Sequence, residues 1–355
     1  MGNYLSSYRS RKVFVTGHTG FKGSWLCRIL LDAGAEVTGY ALEPPTHPNL
    51  FTLSGLEGNL NSIIGDVRDL ERLQKAFSEA KPEIVFHLAA QPIVREGYRD
   101  PVGTYSTNVM GTIHLLECVR RSDTVQSIVN VTTDKVYRNQ EWVWGYRENE
   151  ALDGYDPYSN SKSCAELVSA CYARSFFVDT HIPLSTLRAG NVIGGGDFAP
   201  DRIIPDCIRS ALTGQPIVVR NPDSVRPYQH VLEPLMAYLL VAIRQMEDHT
   251  LAGSYNIGPD EADCVTTARL ADLFCSAWGR GASWIHQGEL YAPHEANLLR
   301  LDCSKLKATF GWNPSWNVAE AVAQTVAWTK VWQQGCQDMA AEMSREIQLY
   351  QTYLL

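Results

Sequence analysis

The chain has 355 residues, 45% hydrophobic and 20% charged, enough apolar material for a large core in one or two domains. A formal net charge of -8, with both signs interspersed, excludes the basic stripe of a nucleic-acid-binding surface and leaves anionic ligands to a few local Arg and Lys side chains. The nine cysteines stand singly without CxxC spacing and no apolar run reaches the length of a membrane span, so a cytoplasmic protein with no membrane partner is expected.

In chain order, KVFVT (12–16), EVTGYAL (36–42), SIIGD (62–66), EIVFHLA (83–89) and SIVNVT (127–132) are β-branched runs that predict strands. Amphipathic stretches at 23–33, 70–80 and 102–121 predict helices between them, and LSTLR (184–188) adds a strand after a helical stretch at 158–177. Strand alternating with helix predicts an α/β fold, a doubly wound parallel sheet of Rossmann type covered on both faces. After Gly190 the texture changes to Gly, Pro and Asp clusters with isolated helices near 203–213, 267–278 and 317–333. The expected division is a dinucleotide-binding domain over 1–190 and a smaller α/β lobe, mainly substrate-binding, over 191–355. The long apolar segment 233–245 is expected to return to the first domain.

Gly17, Gly20 and Gly23 follow the first strand and open a helix, where backbone N–H groups and a helix N-terminus can receive a pyrophosphate. The spacing, GxxGxxG, is one residue longer than the usual fingerprint. Thr19, Phe21 and Lys22 complete the loop, and Lys22 either adds a charge near the phosphates or sits on the helix surface. Asp66, followed by Val67 in GDVRD, is placed to accept from an adenine amino group, and Leu88, Ala89 and Ala90 let a cofactor lie along the fourth strand. Tyr40 stands about where an acid would bind the ribose hydroxyls, and no Arg replaces it to hold a 2'-phosphate. The pattern predicts NAD rather than NADP.

Tyr158 and Lys162 lie four residues apart in YSNSK, on one helix face. Free tyrosine titrates near ~10, and a cationic lysine beside it is expected to lower that value. The spacing of His, Cys and acidic residues gives no metal site.

The order GHTGFKG, GDVRD, HLAAQ, TNVMGT, VTTDKVY, PYSNSK and LRAGNVIGGGD resembles the extended short-chain dehydrogenases that act on nucleotide sugars. The resemblance covers nearly the whole chain, through RPYQHV to FGWNP near residue 314, and GHTGFKGSW and TTDKVY are most similar to the 4,6-dehydratases of CDP-glucose. It implies NAD as cofactor, Thr133, Tyr158 and Lys162 as the hydride-transfer triad, and Asn108 against the cofactor. Related dTDP-sugar dehydratases carry an acidic pair at the positions of Asp134 and Lys135, whereas epimerases carry residues with no acid-base role there. The pair implies elimination, with Asp134 as the acid and Lys135 either as the C5 base or as a cation stabilising an enolate. An exposed lysine near ~10.4 is charged, and burial would have to depress it against the pull of Asp134.

On the substrate side the resemblance implies Asn191 and Arg226 at the pyrophosphate; Gln91, which follows HLAA, is placed to touch the hexose, and His230, four residues after Arg226, is expected either to contact the ligand or to make a structural hydrogen bond. The resemblance also implies CDP-glucose as substrate, a role in deoxysugar and O-antigen lipopolysaccharide biosynthesis, and a homodimer or homotetramer paired through the helices at 102–121 and 158–177. A 4-epimerase, or a dehydratase of another nucleotide sugar, would use the same fold and triad. A non-catalytic, NAD-sensing regulatory protein would commonly lack the tyrosine or lysine, and both are present.

Overall fold

Runs of β-branched residues suit strands whose two faces are both covered, and they build the centre of this molecule. The computed structural model describes residues 4–279, 281–288, 297–336 and 338–354. β1 (Lys12–Thr16), β2 (Glu36–Ala41), β3 (Asn61–Ile64), β4 (Ile84–His87), β5 (Ser127–Val131) and β6 (Leu184–Ala189) join a further strand, Ser254–Ile257, in one seven-stranded sheet. The order is Ser254–Ile257, β6, β5, β4, β1, β2, β3, and every pairing is parallel. From β1 the chain runs outward to β2 and β3, then crosses to β4 on the other side. At such a switch point a crevice opens beyond the C-terminal strand ends.

α1 (Phe21–Asp32) covers one face of the sheet, burying Trp25, Leu26, Ile29 and Leu30 together with the helix Leu232–Glu247. On the other face, Leu70–Ala80 and Gly111–Arg120 pack Leu73, Phe77, Leu115 and Leu116 on Phe14, Val85 and Ile128. Leu232–Glu247 is apolar around most of its circumference because it is enclosed on several sides. Tyr8 donates to Leu239 O (2.8 Å), Ser127 to Ala242 O (2.8 Å) and the Gln245 amide to Ile128 O (2.9 Å). A separate cluster packs Ile204, Ile208, Ile217, Leu270, Phe274 and Val322 together.

Three elements differ from the sequence patterns. The stretch 102–121, expected as one helix, is Pro101–Tyr105, a π-helical turn at Ser106–Met110 and Gly111–Arg120. The strand Ser254–Ile257 and the C-terminal helix Met339–Gln351 went unmarked, and both return to the sheet side of the molecule. A division near residue 190 therefore remains a proposal for where substrate-facing segments begin, not for which residues build the sheet.

Beneath the crevice, Glu166 on the helix Pro157–Tyr172 accepts two N–H groups of Arg188 from β6, at 3.0 and 2.8 Å. Both side chains are at most 3% exposed. The Thr186 hydroxyl donates to the same carboxylate (2.7 Å), while Arg188 also donates to the Tyr137 hydroxyl (2.7 Å) and to Glu148 O (3.1 Å). These hydrogen bonds offset the desolvation of both charges. Arg188→Met strands the carboxylate and is expected to lower the unfolding free energy by about 3–5 kcal/mol in urea denaturation. Adding Glu166→Gln should recover most of that loss; an undiminished loss in the double variant would place its cause outside the pair.

Candidate active site

The glycine loop is shaped by close approach. Gly17 has φ +79°, and a Cβ there would lie 2.8 Å from Ala89 N, while a Cβ on Gly23 would lie 2.1 Å from Gly17 O. Thr19 Oγ1 donates to Leu42 O (2.8 Å) and Thr16 Oγ1 accepts the N–H groups of Leu88 and Ala89 (both 3.2 Å), tying the loop to the ends of β2 and β4. α1 begins at Gly20 with no side-chain cap, so its first-turn N–H groups lack a side-chain acceptor. They open on a cavity of about 1260 Å³ lined by Gly17, Thr19, Gly20, Phe21, Lys22, Gly23, Asp66, Val67, Leu88, Ala89 and Ala90. That exceeds the ~300–1,000 Å³ usual for one small ligand.

Thr133, Asp134, Lys135, Tyr158, Lys162 and Asn191 line the same cavity. Tyr158 stands in the first turn of its helix, after Pro157 and the N-cap Asp156, whose carboxylate accepts Ser159 N–H (3.0 Å). Thr133 lies beside its hydroxyl. Thr133 Oγ1 donates to Asp134 Oδ1 (2.9 Å), and Asn191 Nδ2 donates to Asp134 Oδ2 (3.0 Å). Asp134 is 1% exposed and fits because residue 190 is glycine: a Cβ there would lie 2.0 Å from the carboxyl group. Lys162 Nζ donates to Val131 O (2.9 Å).

Burial governs the titrating groups. It pushes the Tyr158 phenol up to about 12, partly opposed by the Thr133 hydroxyl beside it and reinforced by the charge of Asp134. The expected lowering of this phenol is therefore not found; Lys162 spends its ammonium on a β5 carbonyl and is itself pushed down to about 8 by burial, opposed by Glu166. Lys22, half-buried on α1, faces the cavity and not the helix surface. Burial and the neighbouring Arg202 push it down to about 7 against the pull of Asp134.

Several expected contacts lie elsewhere. Tyr40 is wholly buried, stacked near Phe14 (6.3 Å) with its hydroxyl on Asp66 O (3.0 Å); the cavity wall at the end of β2 is Leu42 and Glu43. Gln91, expected at the hexose, is not in the cavity wall, because its amide donates to Thr104 (2.9 Å) and accepts Ile93 N–H (2.6 Å). Asn108, expected against the cofactor, is 1% exposed behind Gln91: it accepts Gln91 N–H (2.8 Å) and donates to Gln91 O (3.1 Å) and Ser161 Oγ (2.9 Å). His230 takes the structural one of its two expected roles, not the ligand contact: it is wholly buried between Trp25 and Trp316, with Nδ1 accepting Leu232 N–H and Nε2 2.9 Å from Glu346 Oε1.

Arg226 does reach the cavity wall and donates to Val225 O and Asn297 O (2.9 and 3.3 Å). Asp66 reaches it too, its carboxyl held below the usual range by hydrogen bonds from Arg68. The sequence reading missed Arg202, which lines the cavity and pairs with the buried Asp197 (3.0 Å); a lone Arg before a helix carries no signal of its own. Among the described residues no His, Cys, Asp and Glu cluster could hold a metal, and no helix is long and apolar enough to cross a membrane.

The family model for GDP-mannose 4,6 dehydratase matches residues 14–325. A CDP-glucose 4,6-dehydratase of Salmonella typhimurium is 53% identical over 313 residues, covering 86% of this chain and 87% of that protein. Among solved structures, a UDP-glucose 4-epimerase of Thermus thermophilus in complex with NAD superimposes with a TM-score of 0.78 at 26% identity, covering 89% of this chain and 97% of that one. A dTDP-glucose 4,6-dehydratase of Bacillus anthracis in complex with NAD gives 0.76 at 22% identity, covering 90% and 97%, a likeness of fold alone.

The two cavity lysines should be separable by titration. In carbon-13 NMR of labelled lysine, Lys22 is expected to lose its proton with a midpoint near 7 and Lys162 near 8 as pH rises, while exposed lysines titrate near ~10.4. Lys22→Met should remove the lower transition; its persistence would assign it to another residue.

Proposed function

The chain belongs to the GDP-mannose 4,6 dehydratase family, and from that premise we propose that it is a lyase converting CDP-glucose to CDP-4-keto-6-deoxyglucose and water, with NAD as a cofactor restored in each turnover. The observation that carries this reading is the meeting of Thr133, Asp134, Lys135, Tyr158 and Lys162 with the glycine loop around one cavity. The 53% identity to a CDP-glucose 4,6-dehydratase supports the choice of sugar nucleotide.

The residues present suit a dinucleotide. The uncapped N-terminus of α1 offers free N–H groups to a pyrophosphate, with Gly17, Thr19, Gly20, Phe21, Lys22 and Gly23 around it. Asp66 and Val67 would meet the adenine and Leu88, Ala89 and Ala90 the body of the cofactor. NAD, when bound, supplies an acceptor for the hydride leaving C4 and returns it to C6.

The remaining chemistry falls to the protein. Tyr158, beside Thr133, receives the proton of the sugar 4-hydroxyl, and Lys162 holds the floor of the site through Val131. The new C4 ketone acidifies the C5 hydrogen, which Lys135 removes while Asp134 protonates the 6-hydroxyl and water departs. Lys135 then returns its proton to C5. Arg226, Arg202 and Asn191 are assigned to the substrate pyrophosphate. Exposed apolar residues on the paired helices, Val102 and Met110 on one and Leu167 and Phe176 on the other, support a homo-oligomer. A cytoplasmic place in deoxysugar synthesis for lipopolysaccharide completes the reading.

Incubation with CDP-glucose and NAD should yield a product lighter by one water; an unchanged mass with an inverted C4 would mark an epimerase instead. Tyr158→Phe is expected to abolish transient NADH absorbance, and sugar oxidation at a normal rate in that variant would remove Tyr158 from its role. Lys135→Ala should slow elimination by ~10²- to 10⁴-fold while sparing the first oxidation. Unimpaired exchange of the C5 hydrogen with solvent in Lys135→Ala would exclude Lys135 as the base.

A further inference from the structure

A sugar nucleotide that places C4 beside Tyr158 and its pyrophosphate at Asn191, Arg202 and Arg226 still has its nucleoside to seat. Past Arg202 the cavity continues along the first turn of the helix Ile203–Leu212 and the end of the short strand Ile217–Val219. That strand turns Ile217 and Val219 into an apolar cluster and leaves Val218, 42% exposed, on the cavity side. Arg220 follows two residues on and lines the cavity, as do Asp201 and Asp206. An apolar side chain beside a short row of charged groups suits a flat ring with a polar edge.

The row has a definite order. Arg220 Nη1 donates to Asp201 Oδ1 (3.4 Å), and its Nη2 lies 3.7 Å from Asp206 Oδ2. Both contacts are longer than the ~2.7–2.9 Å of a closed charge-assisted hydrogen bond. Arg95 approaches the same Oδ1 of Asp201 (3.8 Å), so both cations meet one carboxyl oxygen and Oδ2 meets neither of them. Asp206 is held from its other side by Arg209 on the same helix. A guanidinium carries five N–H donors in one plane, so holding two carboxylates does not exhaust it. The side chains of Arg220, Asp201 and Asp206 are 37%, 32% and 33% exposed, within reach of a ligand in the cavity.

Resting on the dehydratase reading, we propose that Asp201 and Arg220 read the base of the nucleotide and select cytosine over uracil. The pairing edge of cytosine presents, in order, the 4-amino donor, the N3 acceptor and the O2 acceptor. Asp201 Oδ2 followed by two N–H groups of Arg220 presents acceptor, donor, donor, the complement at every position. Uracil shows O4, N3–H and O2 in the same places. Its O4 then meets a carboxylate oxygen and its N3–H meets an arginine N–H, two contacts in which neither group is satisfied. Val218 packs against the ring. Asp206 is a positioning residue, steadying the guanidinium from the side away from Asp201.

CDP and UDP binding to the NAD-loaded enzyme, measured by calorimetry, separates base reading from a phosphate or purely structural role. The wild type is expected to bind CDP ~10²-fold more tightly than UDP. In Asp201→Asn, whose amide can turn an N–H toward uracil O4, that ratio should fall by ~10-fold or more, with UDP affinity rising as CDP affinity drops. Arg220→Met should lower the ratio as well, since it removes two donors from cytosine and one opposed N–H from uracil. The ratio is taken within each variant, so a general defect in folding, which weakens both nucleotides alike, leaves it unmoved. Equal losses of CDP and UDP in both variants, with a wild type that prefers CDP and releases water from CDP-glucose, would overturn the base-reading roles of Asp201 and Arg220 and leave the dehydratase reading standing. A wild type that binds UDP as tightly as CDP and dehydrates UDP-glucose as readily as CDP-glucose would overturn the choice of CDP-glucose and the base-reading roles with it.

Discussion

Tyr158, Lys162 and Glu166 recur at intervals of four on one helix, so they stand one above another on a single face. Glu166 is the deepest of the three, and its buried union with Arg188 fixes where the other two can be. Arg188 reaches it from β6, Thr132 reaches it from the end of β5, and Thr186 adds a third donor. A carboxylate taken so far from water must keep these partners, which makes the spacing between helix and sheet a matter of hydrogen-bond length. Thr133 and Asp134 follow Thr132 directly. The groups assigned to proton transfer thus inherit their positions from an ion pair that touches none of them.

The same depth sets the charge balance of the site. A protein with a formal net charge of -8 nevertheless gathers Lys22, Lys162 and Arg202 near Asp134. Burial pushes both lysines downward, to about 7 and about 8, so near neutrality the cavity can shed positive charge or take it up according to what it holds. An anionic ligand entering beside them favours their charged forms. The average composition of the chain gives no hint of such a site.

Strand alternation with helix, the glycine spacing and the YSNSK helix were legible because each is a local pattern with one physical consequence. The contacts of Tyr40, Gln91, Asn108 and His230 were not. Tyr40 was read at the right strand end, but its side chain turns toward Gly65, where the absent Cβ makes space for its ring, and Leu42 and Glu43 take the cavity side. Asn108 sits in a π-helical turn, and a wide turn cannot be told from a regular one by hydrophobic period. The strand Ser254–Ile257 is short and the helix Met339–Gln351 has a mixed face, so neither stood out against its flanks. Family resemblance assigned roles to positions, yet it could not say which of those side chains face the cavity.

The segment RPYQHV shows how a motif can belong to the site without touching it. Arg226 lies in the cavity wall, but Gln229 is 1% exposed and donates to Gly190 O (3.4 Å) and to Ile257 O (3.0 Å). His230 continues inward to Glu346 on the C-terminal helix. Gln229 therefore braces the turn after β6, whose glycine admits the Asp134 carboxyl group and whose Asn191, at φ +48°, bonds its outer oxygen. Because β5 and β6 pair in register up to Val131 and Leu187, with Thr132 N–H still on Leu187 O (2.9 Å), the two following turns emerge side by side. A carboxylate on one turn and its seat on the other are then a consequence of neighbouring parallel strands. Residues as distant in sequence as Gln229 and Ile257 hold that seat open.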